Sequence, residues 1–146
     1  MAGARLLGQR VVELRKAAGL LQADLATQLA TRDRRIGEWE RGERQPHPQH
    51  LVRLAAALEV DPLTLLDVDP QDPPLLALRL AAGLTLQQLA AASTVPYSTY
   101  QRLETGVSRG EPASSAAQAL ASALRVEVGT VQRAIVRSRG ERRTRL

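Results

Sequence analysis

Apolar residues recur along this chain at the three- and four-residue spacing of amphipathic helices, and no segment alternates in the manner of a strand. Near the start, apolar positions at this spacing predict a first helix, which Gly19 ends as a C-terminal cap: Leu6, Leu7, Val11, Leu14 and Ala18. Further short helices are predicted beyond it, at Gln22–Leu29, Asp33–Arg41, Gln49–Leu58 and, as the start of another, Pro62–Leu66. The pattern is that of a small all-helical unit.

The same pattern occurs twice. The heptapeptide Leu14–Leu20 (LRKAAGL) corresponds to Leu78–Leu84 (LRLAAGL), an offset of 64 residues. At that offset Glu40 meets Glu104 and Gly42 meets Gly106. An Ala- and Leu-rich chain matches itself easily by chance, but the paired Arg, Gly and Glu positions do not follow from that bias. We therefore predict a tandem repeat.

A segment with three Asp and three Pro, Asp67–Pro74, separates the copies, because it cannot continue a helix. The predicted organisation is a first unit at residues 1–66, a linker at 67–74, a second unit at 75–136 and an Arg-rich tail at 137–146. The fold class is all-α, with two tandem five-helix units. We expect the tail to be flexible at its end, and either an arm that makes nonspecific phosphate contacts or a solubilising segment.

Composition narrows the function classes. The chain has no Cys, which excludes disulfides and Cys-ligated zinc. His47 and His50 lack supporting carboxylates, so we expect no metal site. No catalytic, cofactor or small-molecule motif is present, and we expect neither an enzyme nor a bound cofactor. No apolar run is long enough to cross a membrane, so the expected location is the cytoplasm. The net charge of +5 makes an anionic partner plausible.

One set of residues in the first unit indicates a function more specifically than the composition does. It comprises Arg15, Gly19, Gln22, Leu25-Ala26 and the run Ile36-Gly-Glu-Trp-Glu-Arg-Gly42, followed by Pro46. This constellation resembles the Xre-type, lambda-repressor-like helix-turn-helix family. The resemblance implies double-stranded DNA as partner, with the third helix of a unit in the major groove. Whether the chain forms a homodimer is left open.

The resemblance also implies roles for individual residues. Gln22 would contact a phosphate, and base-facing positions fall on Asp33, Arg34, Arg35, Gly37 and Glu38. The acids would either accept from cytosine or orient a neighbouring Arg. Phosphate-positioning groups would be Arg32, Arg41 and Arg44. The pairs Arg15–Glu40 and Arg79–Glu104 are expected to be structural, and Trp39 a core residue.

The second copy has different residues at the equivalent face: Tyr97, Ser98, Thr99, Gln101 and Arg102. Leu86 replaces the phosphate-contacting Gln, and Tyr100 is expected in the core with its hydroxyl at the edge. This copy either contacts DNA or serves as a scaffold. Two functions follow: a sequence-specific transcriptional regulator, such as a repressor or a plasmid- or phage-type control protein, or a protein-interaction module that keeps the fold without reading DNA.

Overall fold

The computed structural model describes residues 4–107 and 114–145, and for residues 141–145 the backbone alone. The first unit contains α1 (Gly8–Ala17), α2 (Gln22–Gln28), α3 (Asp33–Glu40), α4 (Pro48–Leu58) and a 3₁₀ turn (Pro62–Leu65). The second contains α5 (Leu75–Ala81), α6 (Leu86–Ser93), α7 (Tyr97–Thr105), α8 (Ser114–Leu124) and α9 (Val128–Arg145). The described residues form no strand, only an isolated bridge between Leu6 and Leu66. The predicted all-α class with two tandem units is confirmed.

Each unit is built around its own apolar core. Leu25, Ile36, Trp39 and Leu54 are at most 1% exposed in the first. The second core has the equivalent residues Leu89, Tyr100, Leu103 and Leu120. Leu, Ala, Val and Ile supply most of both cores, as expected for a chain without Phe.

The turn before each third helix contains a residue with positive φ that is not glycine. Ala30 has φ 55° and Thr94 has φ 59°. A side chain in the left-handed region costs about 1–2 kcal/mol, which a glycine avoids. Both turns are therefore formed at some cost in stability.

The two units differ in their fifth element. In the first it is the single 3₁₀ turn, whereas in the second it is the 18-residue helix α9. The tail expected from residue 137 is part of a helix, because α9 continues without a break to Arg145. Its inner face is apolar at helical spacing, with Val131, Ala134 and Ile135 buried and Ser138 only 2% exposed. Arg is also a good helix former, so the basic sequence does not oppose the helix.

Ser138 also joins α9 to the beginning of α5. Its hydroxyl donates to the carbonyl of Ala134 at 2.8 Å and accepts the backbone N–H of Leu75 at 3.2 Å. The residue before α5 is Pro74, whose side chain cannot cap a helix. The first amide of α5 is thus satisfied by a side chain 63 residues away in sequence.

Candidate DNA-binding surface

Helices α2 and α3 are joined by a tight turn in which the amide of Thr31 donates to the carbonyl of Ala26 at 2.9 Å. Asp24 accepts the amide of Leu21 at 2.7 Å, which satisfies one donor at the start of α2 although Leu21 cannot cap the helix itself. Asp33 lies in the first turn of α3, where a negative charge is favourable. The turn presents α3 at the surface of the unit, with Arg32, Asp33 and Arg34 all exposed.

A buried ion pair fixes α3 from behind. Arg15 donates to both carboxylate oxygens of Glu40, at 2.7 and 3.1 Å, and to the carbonyl of Leu20 at 3.0 Å. The side chains of Arg15 and Glu40 are 9% and 5% exposed. The expected structural role of this pair is confirmed.

Gln22 joins the same pair, since its amide donates to Glu40 at 2.9 Å. Beside it lies Gly37, which is buried. A Cβ on Gly37 would come within 2.9 Å of Nη1 of Arg41 and 3.7 Å of Nε2 of Gln22. Gly37 therefore leaves room for Arg41 to fold across α3 next to Gln22, and it is buried there instead of lying at an exposed site.

Glu38 is surrounded by two arginines. One of its oxygens is 3.1 Å from Nε of Arg44 and the other 3.7 Å from Nε of Arg34. The side chain of Glu38 is only 17% exposed, whereas that of Arg34 is 88% exposed. Of the two roles open to this acid, the contacts favour orienting the neighbouring arginines over accepting from a base.

Four basic groups gather around α3 and line an open concavity of about 620 Å³ with Glu38 at its edge: Arg32, Arg34 and Arg44, which are exposed, and Arg35, which is half-buried. Arg41 is bound elsewhere, since its guanidinium donates to both oxygens of Glu43 at 2.8 and 3.0 Å. This exposed pair raises the pKa of Arg41 and lowers that of Glu43, first through the hydrogen bond. To contact a phosphate, Arg41 would have to divide its donors between that phosphate and Glu43.

On the inner side of α3, Trp39 is 1% exposed, so its predicted place in the core is confirmed. Its ring lies against that of His50 in α4, with the centroids 5.5 Å apart. The indole Nε1 and the His50 Nδ1 are both buried without a hydrogen-bond partner in the structure. Burial, followed by the nearby positive charges of Arg53, His47 and Arg35, lowers the pKa of His50. His50 is thus a neutral packing partner of Trp39.

The second unit repeats this frame. Arg79 donates to both oxygens of Glu104, at 2.8 and 2.9 Å, and to the carbonyl of Leu84 at 3.0 Å. Thr85 caps α6 by accepting the amide of Gln88 at 3.1 Å, and Gln88 accepts the amide of Thr85 in return. The expected structural role of the pair Arg79–Glu104 is confirmed.

Tyr100 corrects one expectation. Its side chain is fully buried, and its hydroxyl lies 3.5 Å from the carbonyl of Leu75 instead of at the edge of the core. Burial, and then the neighbouring Glu104, raises the pKa of Tyr100 far above its usual value. The outer face of α7 is exposed and carries a single charge, on Arg102: Tyr97, Ser98, Thr99, Gln101 and Arg102. The loop between α7 and α8, residues 108–113, lies outside the described residues.

Comparison with known families matches Helix-turn-helix (HTH_3) at two places, residues 11–65 and 75–131. The chain belongs to this helix-turn-helix family. Two matches confirm the tandem repeat and its resemblance to Xre-type, lambda-repressor-like proteins. The family consists of DNA-binding regulators and is not typically enzymatic. No curated protein and no solved structure matches the chain.

The charge of this helix-turn-helix protein is unevenly distributed. Of its 20 Lys and Arg and 15 Asp and Glu, six Arg and one Glu fall within Val128–Arg145. The remainder of the chain therefore holds fourteen of each sign, and the net charge of the whole protein equals that of α9. The first unit, residues 1–66, holds ten positive and eight negative residues, so the positive groups around α3 form a local surface within a unit of net charge +2.

Within the described residues, no single helix is long and apolar enough to span a membrane. Helices α5 and α6 pass that test only as a pair, and they meet at a bend of 89°.

Sequence reasoning missed two features of this surface. The bridging role of Glu38 depends on where the loop after α3 returns Arg44, which no periodicity shows. The second is that no residue of α5 is exposed, for which a signal was present: its sequence LLALRLA has a single polar residue, Arg79, unlike GQRVVELRKA in α1.

Proposed function

We propose that this helix-turn-helix protein is a sequence-specific transcriptional regulator, a repressor or a plasmid- or phage-type control protein, whose first unit reads double-stranded DNA in the major groove with α3. The observation that carries the proposal is the group of exposed arginines at the beginning of α3, with Glu38 orienting Arg34 and Arg44. An Arg held in this way can donate two hydrogen bonds to guanine.

The backbone of the duplex would be held by the groups beside α3. Arg32 lies at the N-terminal end of the helix and Arg44 in the loop after it. Gln22 keeps one amide hydrogen and its carbonyl oxygen after bonding Glu40, so it can still donate to a phosphate. Such contacts place the helix on the duplex without selecting its sequence.

The test begins with selection of bound duplexes from a random library by the full chain, followed by titration of the selected duplex. The double variant Arg34→Ala, Arg35→Ala should lose sequence preference, at about 1–3 kcal/mol for each base contact removed. The matched control is Arg10→Ala, Lys16→Ala, which removes two positive charges from exposed positions on α1.

The control should reduce affinity to a smaller extent and equally for all sequences. Undiminished preference in the α3 double variant would contradict the assignment of α3. The absence of any bound duplex at low salt would reject DNA reading altogether.

A second candidate function applies to the second unit. The nearly uncharged outer face of α7 can instead contact a protein, because only Arg102 supplies charge for phosphates there, although its hydroxyls and Gln101 can also bond to bases. In this case the selected duplexes would contain one half-site, and substitutions on α7 would leave DNA affinity unchanged.

A further inference from the structure

Helix α5 exposes little surface to solvent, since four of its residues are buried and the other three, Leu76, Leu80 and Ala81, are half-buried. None of its seven residues is exposed, whereas the equivalent α1 exposes its polar side, including Arg10, Glu13 and Lys16. A helix that is apolar on all sides is one that is covered on all sides. In α5 the two coverings come from different units.

The two faces of α5 enter two cores. Ala77 is 0% exposed and belongs to the core of the first unit, against which Leu76 and Leu80 also pack. Leu75 and Leu78 belong to the core of the second unit. Helix α5 thus packs in both cores. Separating the units would expose its apolar surface to water, at a free-energy cost of about 25 cal/mol per Å².

The two units also contact each other where α5 ends. A Cβ placed on Gly83 would lie 3.1 Å from Cγ2 of Val52 and 3.9 Å from the carbonyl oxygen of Pro48, both in α4. Gly83 also has φ 76°, so the turn after α5 favours glycine for its conformation as well. The turn that leads into α6 is therefore packed against the beginning of α4.

A continuous series of packed contacts consequently connects the two third helices. Trp39 of α3 lies against His50 of α4, and α4 packs against α5. Arg79 of α5 then holds Glu104 of α7 through a buried bidentate pair. No step in this series is a flexible linker, although the sequence between the units is rich in Pro and Asp.

We propose that this seam between α4 and α5 is a specificity determinant, which fixes the separation and the rotation of two half-sites on the DNA. The inference rests on the proposed function and extends it to α7. Each added base pair moves a half-site by about 3.4 Å and turns it by about 35°. Two units on a flexible tether tolerate such changes, because the tether adjusts, whereas two units that share a helix do not.

The experiment uses the full chain and the half-sites obtained by selection, with the spacing between them changed one base pair at a time over about one helical turn. The wild-type protein should have one optimal spacing. An insertion of about half a turn should reduce its affinity to that for a single half-site.

The seam variant is Ala77→Glu, Leu80→Lys, which gives α5 the residues that α1 carries at the equivalent positions Glu13 and Lys16. Its control is Gln118→Glu, Ser122→Lys, which places the same two charges on exposed positions of α8. The seam variant should bind all spacings with similar affinity, and the control should keep the wild-type optimum. If the double seam variant does not fold, as judged by circular dichroism, Leu80→Lys alone replaces it.

Amide relaxation measured by NMR adds a readout that needs no DNA. Both units should tumble with one correlation time in the wild-type protein and with two in the seam variant. Equal affinity of the wild-type protein at every spacing, or selection of a single half-site, would overturn the inference while leaving DNA reading by α3 intact. Failure to bind any duplex would instead reject the proposed function.

Discussion

The third helices α3 and α7 are held by nearly superimposable contacts and yet present different surfaces. Behind each of them, an Arg of the unit's first helix bonds both oxygens of a Glu and a backbone carbonyl, with distances that agree to about 0.2 Å between the copies. In front, α3 carries arginines oriented by an acid, and α7 carries hydroxyls and amides. The comparison separates what makes the fold, which is buried and repeated, from what contacts a partner, which is exposed and has diverged.

The largest expected effect on stability comes from breaking the buried Arg–Glu pair that both units share. Glu104→Gln leaves Arg79 buried beside a neutral amide, and we expect a loss of about 3–5 kcal/mol in the free energy of unfolding. Glu40→Gln should cost a similar amount in the first unit, because the two pairs are equally buried. Urea denaturation followed by circular dichroism measures both.

The apolar double replacement Arg79→Leu, Glu104→Leu removes both buried charges at once. It therefore shows how much of the loss in Glu104→Gln comes from leaving Arg79 unpaired. It should recover most of the stability lost in Glu104→Gln, since no charge is then left unpaired. A single variant that unfolds like the wild type would show that the shared frame does not depend on this pair.

Substitutions on the outer face of α7, where the units differ, should have a smaller effect. Gln101→Ala, Arg102→Ala on α7 is expected to weaken binding of the optimal duplex by about 1–3 kcal/mol if both residues contact DNA, and to lower the salt dependence by about one phosphate contact. Ser114→Ala, at an exposed position of α8, provides a control without charge change. Identical titration curves for the α7 variant and the wild type would assign α7 to a protein partner.

A smaller effect of opposite sign is expected in the turns. Thr94→Gly and Ala30→Gly remove a side chain from the left-handed region, and each should stabilise its unit by about 0.5–1 kcal/mol. Thermal unfolding measures the change, with Ala92→Gly, an exposed position within α6, as a control that should destabilise. Loss of stability in both turn variants would show that the turns are formed without strain.

The smallest expected effect is a pH dependence of stability that only the first unit shows. The pKa of His50 is lowered in the folded protein, so the unfolded chain binds the proton more readily as the pH falls below 6.5, the ordinary value for His. The contribution of His50 to stability is therefore present above that pH and is lost below it. The equivalent position in the second unit is Ala116, which does not titrate. A His50→Ala variant should unfold with a weaker dependence on pH between 5 and 7 than the wild type, and an unchanged dependence would exclude His50 as the source.

Much of this comparison could be predicted from the sequence. Spacing predicted the helices of the first unit to within one or two residues, and the offset of 64 residues predicted the repeat. The roles of Arg15–Glu40 and Arg79–Glu104 followed from the family resemblance. Local patterns suffice here, because each helix buries one stripe of its own residues.

The remaining features depend on what lies opposite a residue in space. Glu38 orients Arg44 only because the loop after α3 returns to it, and Gly37 is buried only because Arg41 folds over the helix. The helix at the end of the chain was missed because its charge was given more weight than its buried stripe of Val131, Ala134 and Ile135. The seam was missed because the Pro-rich segment before it was interpreted as a spacer.

The hydroxyl of Ser138 at the first amide of α5 has a consequence for how the protein is made. The ribosome delivers the chain from its N-terminus, and domains generally fold in that order. The first unit is complete once its 3₁₀ turn emerges, and α5 can then dock on it with its other face and its first amide still unsatisfied. Those groups are covered only after α9 has been synthesised, because Ser138 lies in α9. Truncation before residue 138 should therefore yield chains in which the first unit is folded and carries α5 as an exposed apolar helix, a product prone to aggregation.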